Sequence, residues 1–324
     1  MKRRLFLHIG VHKTASSYLQ RVFKINREYL GSVGILYPEV RGNAHHRFSQ
    51  ELKSQAGSRH EQVRLFDQIR QSDAKIILIS SEGFDGCNRK QIEYLRDLAD
   101  RENLKVNVTY FIRNQVDAIE SSLRGTRRYE RLLNDRKLLL KKSLNHPAFK
   151  LMEMYRKWAD VFEQSVSVGV YENESNMVEG FIRLSNLQSI VDCKKLKRVK
   201  ERTNPSMEVR FILAVQTFLQ DSSPARCEEL KKLILPHMRE KAIEYSSLNG
   251  PERAVSYFSP EDRMLIASEF KEQNRRFSKR VTPLPDIYFQ PTRELNFTQQ
   301  VDPEYLATLL VDSRLAETQK KKCE

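Results

Sequence analysis

The chain has 324 residues, 40% of them hydrophobic and 30% charged, and carries a formal net charge of +14. That apolar content can build one large core, or one core with an appended helical layer, and the positive balance suits polyanionic ligands such as nucleotide phosphates, acidic glycans or nucleic acid. No run of about twenty apolar residues occurs, which excludes a helical membrane span, and there is no internal repeat or low-complexity block.

The first element is a strand at Leu5–Ile9, followed by the turn Gly10-Val-His-Lys and a helix over Ser17–Leu30. Lys2, Arg3 and Arg4 precede an apolar run that His8 and Gly10 interrupt, so it reads as a strand and not as an export signal. Helix N-termini carry partial positive charge, Ser16 and Ser17 add hydroxyl donors, and Lys13 adds a full charge. An anionic nucleotide is the guest this arrangement suits. A standard ATP loop requires a second glycine just before its lysine, and none is present.

Further on, GNAHHRF places His45 and His46 in a loop, and Glu61–Gln71 has helical spacing. The strand Lys75–Ser80 runs into Ser81 and Glu82, and a helix follows over Gln91–Ala99. A β-rich run, Val106–Ile112, leads into Arg113-Asn114-Gln115 and a helix carrying Ser121. Arg124, Arg127, Arg128 and Arg131 form a basic cluster, read as a solvated face. A helix at Phe149–Phe162, a strand at Val166–Tyr171 ending in Tyr171-Glu172, and a helix around Met177 to Leu187 complete the alternation. The resulting βαβ rhythm predicts a parallel sheet, whose ligands bind beyond the strand carboxyl ends, where Lys13, Arg113 and Tyr171 all fall.

After a second basic cluster, Lys194 to Arg202, the pattern turns helical at Met207–Leu219, Cys227–Tyr245 and Pro260–Phe277. The expected organisation is a core over 1–205, a helical portion packed on it over 206–315, and a charged tail over 316–324. Cys87, Cys193, Cys227 and Cys323 show no C-x-x-C spacing, so reduced thiols and a cytoplasmic setting are the expectation.

Three motifs in this order resemble the sulfotransferases that use 3′-phosphoadenosine 5′-phosphosulfate. Their first motif is a strand followed by Lys-[ST]-Gly-[ST]-[ST] and an aromatic or apolar residue, matched here by Lys13-Thr14-Ala15-Ser16-Ser17-Tyr18. Ala15 stands in place of glycine, which is tolerable where the backbone keeps negative φ. The second motif ends a strand in Arg-[ND]-Pro with a serine eight residues on, matched by Arg113 and Ser121 with Gln115 in place of proline. The third match is Tyr171.

The resemblance implies an α/β fold, a parallel β-sheet flanked by helices in a P-loop-like three-layer sandwich with a helical C-terminal portion, and a soluble bacterial-type enzyme. It implies that Lys13, Thr14, Ser16 and Ser17 hold the 5′-phosphosulfate, that Tyr18 and Tyr171 lie on the adenine side, and that Arg113 and Ser121 hold the 3′-phosphate. A planar multi-donor guanidinium with a hydroxyl fits that phosphate. Lys200 and Arg202 are further candidates for it, because the family recruits basic residues from a late loop.

For catalysis, Lys13 is placed to stabilise the leaving phosphate. Glu82, emerging at the sheet edge, is the first candidate base, with His45 second and His12 read as an acceptor or packing residue. No metal is required by this reading. The acceptor is expected to be a hydroxyl of a carbohydrate or glycolipid. The alternatives are a magnesium-dependent kinase, disfavoured because no apolar strand ends in aspartate, and a non-catalytic basic nucleic-acid-binding protein, disfavoured because the basic residues are not interleaved with aromatics.

Overall fold

A computed structural model describes residues 2–11, 13–54, 59–124, 136–199, 209, 212, 213, 255–290, 296 and 297. The chain divides into two compact units. The first comprises Met1–Gln115, His146–Thr203 and Phe270–Phe289; the second comprises Val116–Asn145, Asn204–Glu269 and Gln290–Glu324. Residues 270–289, read from the sequence as part of a C-terminal portion, thus belong to the first unit, and 116–145 to the second.

The first unit is built on a five-stranded sheet in which every pairing is parallel: β1 (Arg3–Ile9), β2 (Ile35–Leu36), β3 (Ile76–Ser81), β4 (Leu104–Ile112) and β5 (Val166–Val170), in the order β2-β3-β1-β4-β5. Both faces are covered, which is why β3 reads as an uninterrupted buried run, IILISS, rather than as an alternation. Strand periodicity sends Leu5, Leu7, Ile9, Ile77, Ile79, Val108, Tyr110 and Ile112 into one core cluster. That layer is closed by the apolar stripes of α4 (His60–Arg70), α5 (Arg89–Arg101) and α8 (Leu151–Phe162), including Leu65, Leu95 and Trp158. Phe6, Ile76, Leu78 and Phe111 face the other way, against Leu19, Val22 and Phe23 of α1 (Ser16–Ile25) and Phe181 of α9 (Met177–Leu184). The α/β three-layer fold class is therefore as the sequence suggests.

Local differences have local causes. The single helix predicted over Ser17–Leu30 is α1 and then α2 (Arg27–Ser32), broken at Asn26. The Asn26 amide donates to the Val22 carbonyl at 2.8 Å and the Lys197 carbonyl at 2.9 Å, and its oxygen accepts from the Lys197 N–H. Side-chain bonding to the backbone competes there with helix continuation. The His45-His46 segment is not a loop pair: His46 begins α3 (His46–Lys53). The edge strand β2 has two residues, too few for a periodicity to register.

In the second unit, Val116 onward of α6 (Gln115–Leu123) is tied by a buried ion network. Arg263, in the part of α10 (Pro260–Arg280) that lies in this unit, donates to Glu120 at 2.9 Å and Asp117 at 3.1 Å. Glu120 also accepts from the Ser256 hydroxyl and the Tyr257 N–H, both at 2.9 Å. Saturating a buried carboxylate in this way compensates its desolvation. The unit also contains α7 (Arg136–Leu144) and a short parallel pair, β6 (Val255–Ser256) with β7 (Asn296–Phe297). Most of the residues predicted helical at Met207–Leu219 and all at Cys227–Tyr245 lie outside the described residues.

Candidate functional site

β1 and β4 are neighbours in the sheet, yet their connections lead to opposite edges, towards β2 and β5 respectively. Such a reversal opens a crevice at the strand carboxyl ends. The segment after β1 is drawn tightly into it. Gly10 N–H donates to the Ser81 carbonyl at 3.0 Å. A Cβ on Gly10 would sit 2.9 Å from Glu82 Cγ, 3.0 Å from the Glu82 nitrogen and 3.0 Å from Ser16 Cβ, so only glycine fits. The Thr14 and Ser16 hydroxyls both turn back to the Val11 carbonyl, at 2.7 and 3.2 Å, fixing the turn from within.

Two non-glycine residues of this turn occupy the left-handed region: Lys13 at φ 69° and Ala15 at φ 58°. The expectation that Ala15 keeps negative φ is therefore corrected. The chain must reverse sharply from β1 into α1, and the residue at the helix N-cap takes the αL conformation that glycine takes without strain. Ala15 is that N-cap; it offers no capping side chain, and the first turn of α1 contains no acidic residue. That end of α1 carries the partial positive charge of a helix N-terminus, which favours anions in general.

Ser17 donates its hydroxyl to Glu82 Oε1 at 3.0 Å, so the candidate base stands beside the turn and not remote from it. Glu82 opens a short 3₁₀ turn capped by Ser81, whose oxygen accepts from the Gly83 N–H at 3.0 Å. His46 Nδ1 and Ser49 Oγ each lie 2.9 Å from the same Ser81 oxygen.

His45 is placed differently from its expected position. It is buried, its Nδ1 lies 3.2 Å from both the Ser80 carbonyl oxygen and the Ser80 nitrogen, and its Nε2 is buried without a hydrogen-bond partner. Burial pushes its pKa down to about 3. It is an interior residue, whereas its neighbour His46 is exposed at the strand end. Nothing in the sequence separates the buried member of this pair from the exposed one, because what divides them is the start of α3 between them.

Arg113, directly after β4, donates through Nη1 to the Lys13 carbonyl at 3.0 Å. Its guanidinium carbon lies 5.0 Å from the ring centroid of Tyr171, directly after β5. Arg113 Nε is buried with no hydrogen-bond partner. Residues following three different strands, Lys13, Arg113 and Tyr171, are thereby brought together. Tyr18 and Tyr171 are both half-buried and pack against the apolar layer between the sheet and α1 and α9. Ser121 lies on α6, in the second unit. Arg202 and His12, with Lys200, lie outside the described residues.

Several residues around the site carry no sequence signal. His8, fully buried on β1, has its Nδ1 2.7 Å from Ser80 Oγ, which also accepts from Gln20 at 3.1 Å. Burial pushes the His8 pKa down to about 3. Glu172 accepts the Asn114 N–H at 2.8 Å and the Tyr288 hydroxyl at 2.9 Å. Among the described residues no group of three or more His, Cys, Asp or Glu side chains is arranged to hold a metal ion, and no helix is long and apolar enough to cross a membrane.

No family model and no curated protein matches the chain. Among solved structures it is similar to a sulfotransferase from Alicyclobacillus acidocaldarius, at 15% identity and a TM-score of 0.40, over 76% of this chain and 97% of that one.

Proposed function

We propose that the chain is a sulfotransferase that moves the sulfuryl group of 3′-phosphoadenosine 5′-phosphosulfate to a hydroxyl of a carbohydrate or glycolipid acceptor. The observation that carries this reading is the meeting of Lys13, Arg113 and Tyr171 from three strand ends, with Arg113 donating to the Lys13 carbonyl and lying over Tyr171. The site fits such a nucleotide in three respects: an uncapped helix N-terminus for the 5′-phosphosulfate, an arginine with an unpartnered buried Nε for the 3′-phosphate, and an aromatic ring beside it for the base.

On this reading the 5′ side is held by the backbone around Thr14, Ser16 and Ser17 and by Lys13. The 3′-phosphate is held by Arg113, and Tyr18 and Tyr171 serve the adenine side. The acceptor oxygen attacks sulfur, the bond from sulfur to the bridging oxygen breaks, and its electron pair stays on the departing 5′-phosphate. Lys13 neutralises that charge and Glu82 takes the acceptor proton. The contact between Ser17 and Glu82 couples the base to the phosphate turn. Between the two candidate bases, burial of His45 favours Glu82.

The reading is tested by following release of 3′-phosphoadenosine 5′-phosphate with a panel of saccharide acceptors. Glu82→Gln is expected to lower kcat by about 10²- to 10⁴-fold while leaving nucleotide affinity unchanged. Unchanged turnover in that variant would remove Glu82 as the base.

A further inference from the structure

Arg113 is followed by two residues, Asn114 and Gln115, that bond to Glu172 and to the segment Phe270–Phe289. Asn114 N–H donates to Glu172 Oε1 at 2.8 Å, and the Asn114 amide donates to the Ile287 carbonyl at 2.5 Å. Gln115 and Asn274 exchange amide hydrogen bonds, 2.8 Å in one direction and 3.1 Å in the other, and Gln115 Nε2 also reaches the Phe149 carbonyl at 3.4 Å. Asn274 donates further to the Tyr288 carbonyl at 2.8 Å, and the Tyr288 hydroxyl returns to Glu172 Oε2 at 2.9 Å. Four of its members are enclosed, Asn274 at 0% exposed, Tyr288 at 1%, and Asn114 and Gln115 at 2% each, while Glu172 is half-buried.

Such a network is stiff, since each of its four buried members would stand unsatisfied if it lost its partner. It fixes the backbone immediately after Arg113 on one side, while Glu172 fixes it beside Tyr171, the ring on which the guanidinium rests. Gln115, which replaces a proline in the resemblance, uses the freedom of its side chain to bind the late helix.

We infer that Gln115, Glu172, Asn274 and Tyr288 are positioning residues for Arg113, so that the late segment Phe270–Phe289 sets the geometry in which this arginine meets a 3′-phosphate. This rests on the function proposed above.

Two measurements on the full chain separate the inference from that reading. The first is the affinity for 3′-phosphoadenosine 5′-phosphate and for ADP, by calorimetry, in wild type, Asn274→Ala, Tyr288→Phe and each combined with Arg113→Ala. Asn274→Ala is expected to weaken the 3′-phosphorylated nucleotide about tenfold with ADP unchanged, Tyr288→Phe to do so less, and neither to act further once Arg113 is absent. Equal losses for both nucleotides, or a loss that persists without Arg113, would overturn the inference. The second is the rate at which phenylglyoxal modifies Arg113, read by peptide mass spectrometry, which needs no nucleotide. A several-fold rise in both variants supports positioning even if wild type shows no preference for the 3′-phosphate, an outcome that would sink only the proposed function. An unchanged rate in Tyr288→Phe, which removes one hydroxyl and spares the fold, would overturn the positioning role itself.

Discussion

Ala15, the N-cap residue of α1, holds a conformation that glycine takes without strain. Its place in the motif is legible, but its φ of 58° is not, because a sequence carries no record of which turn residue must bend left. A Cβ in the αL region costs roughly 1–2 kcal/mol, a cost glycine avoids. Ala15→Gly is therefore expected to raise stability by about 0.5–1 kcal/mol, measured by urea unfolding, since the gain in the folded turn outweighs the added freedom of the unfolded chain. A lowered midpoint would mean that the turn is not strained at this position. Lys13, also left-handed, gives its carbonyl to Arg113, and no periodicity or propensity announces that contact.

At the scale of elements, the apolar runs of β1, β3, β4 and β5 are plain in the sequence because a parallel strand buried on both faces is a continuous hydrophobic string. What that string hides is the polar row built into its end. Register places His8 opposite Ser80, and Ser80 engages His8 through its hydroxyl and His45 through its backbone. Both imidazoles are buried and neutral, with pKa pushed down by burial to about 3 from 6.5. The unfolded chain binds more protons than the folded one between those two values, so stability rises with pH across that window and is fully present above pH 6.5. Lowering pH from 7.5 to 5 is expected to cost about 2 kcal/mol per histidine, seen as a falling urea midpoint. A midpoint flat over that range would show that these histidines are not held neutral. The short β2, the break at Asn26 and α3 were beyond sequence reading for a common reason: each depends on contacts with distant residues such as Ile76, Lys197 and Ser80.

For the molecule as a whole, the alternation of strands and helices announces a parallel sheet, but not the strand order, which is a matter of crossovers. Nor does it announce the two units. A linear cut near residue 205 is the natural reading of a composition shift, whereas Phe270–Phe289 joins the first unit through Asn274 and Tyr288, whose partners lie more than a hundred residues earlier. The proposed phosphate-binding residues are legible because phosphate chemistry needs few residue types in fixed places; the residues that hold them are not, because any buried amide or carboxylate can serve.

The most direct test of the central claim is calorimetric binding of 3′-phosphoadenosine 5′-phosphate against ADP and ATP-magnesium, in wild type and Arg113→Ala. Wild type is expected to prefer the 3′-phosphorylated nucleotide and to lose that preference with Arg113, a loss of about 1.5–3 kcal/mol for a charge-assisted contact. Equal or tighter binding of ATP-magnesium, unaffected by the substitution, would contradict that claim.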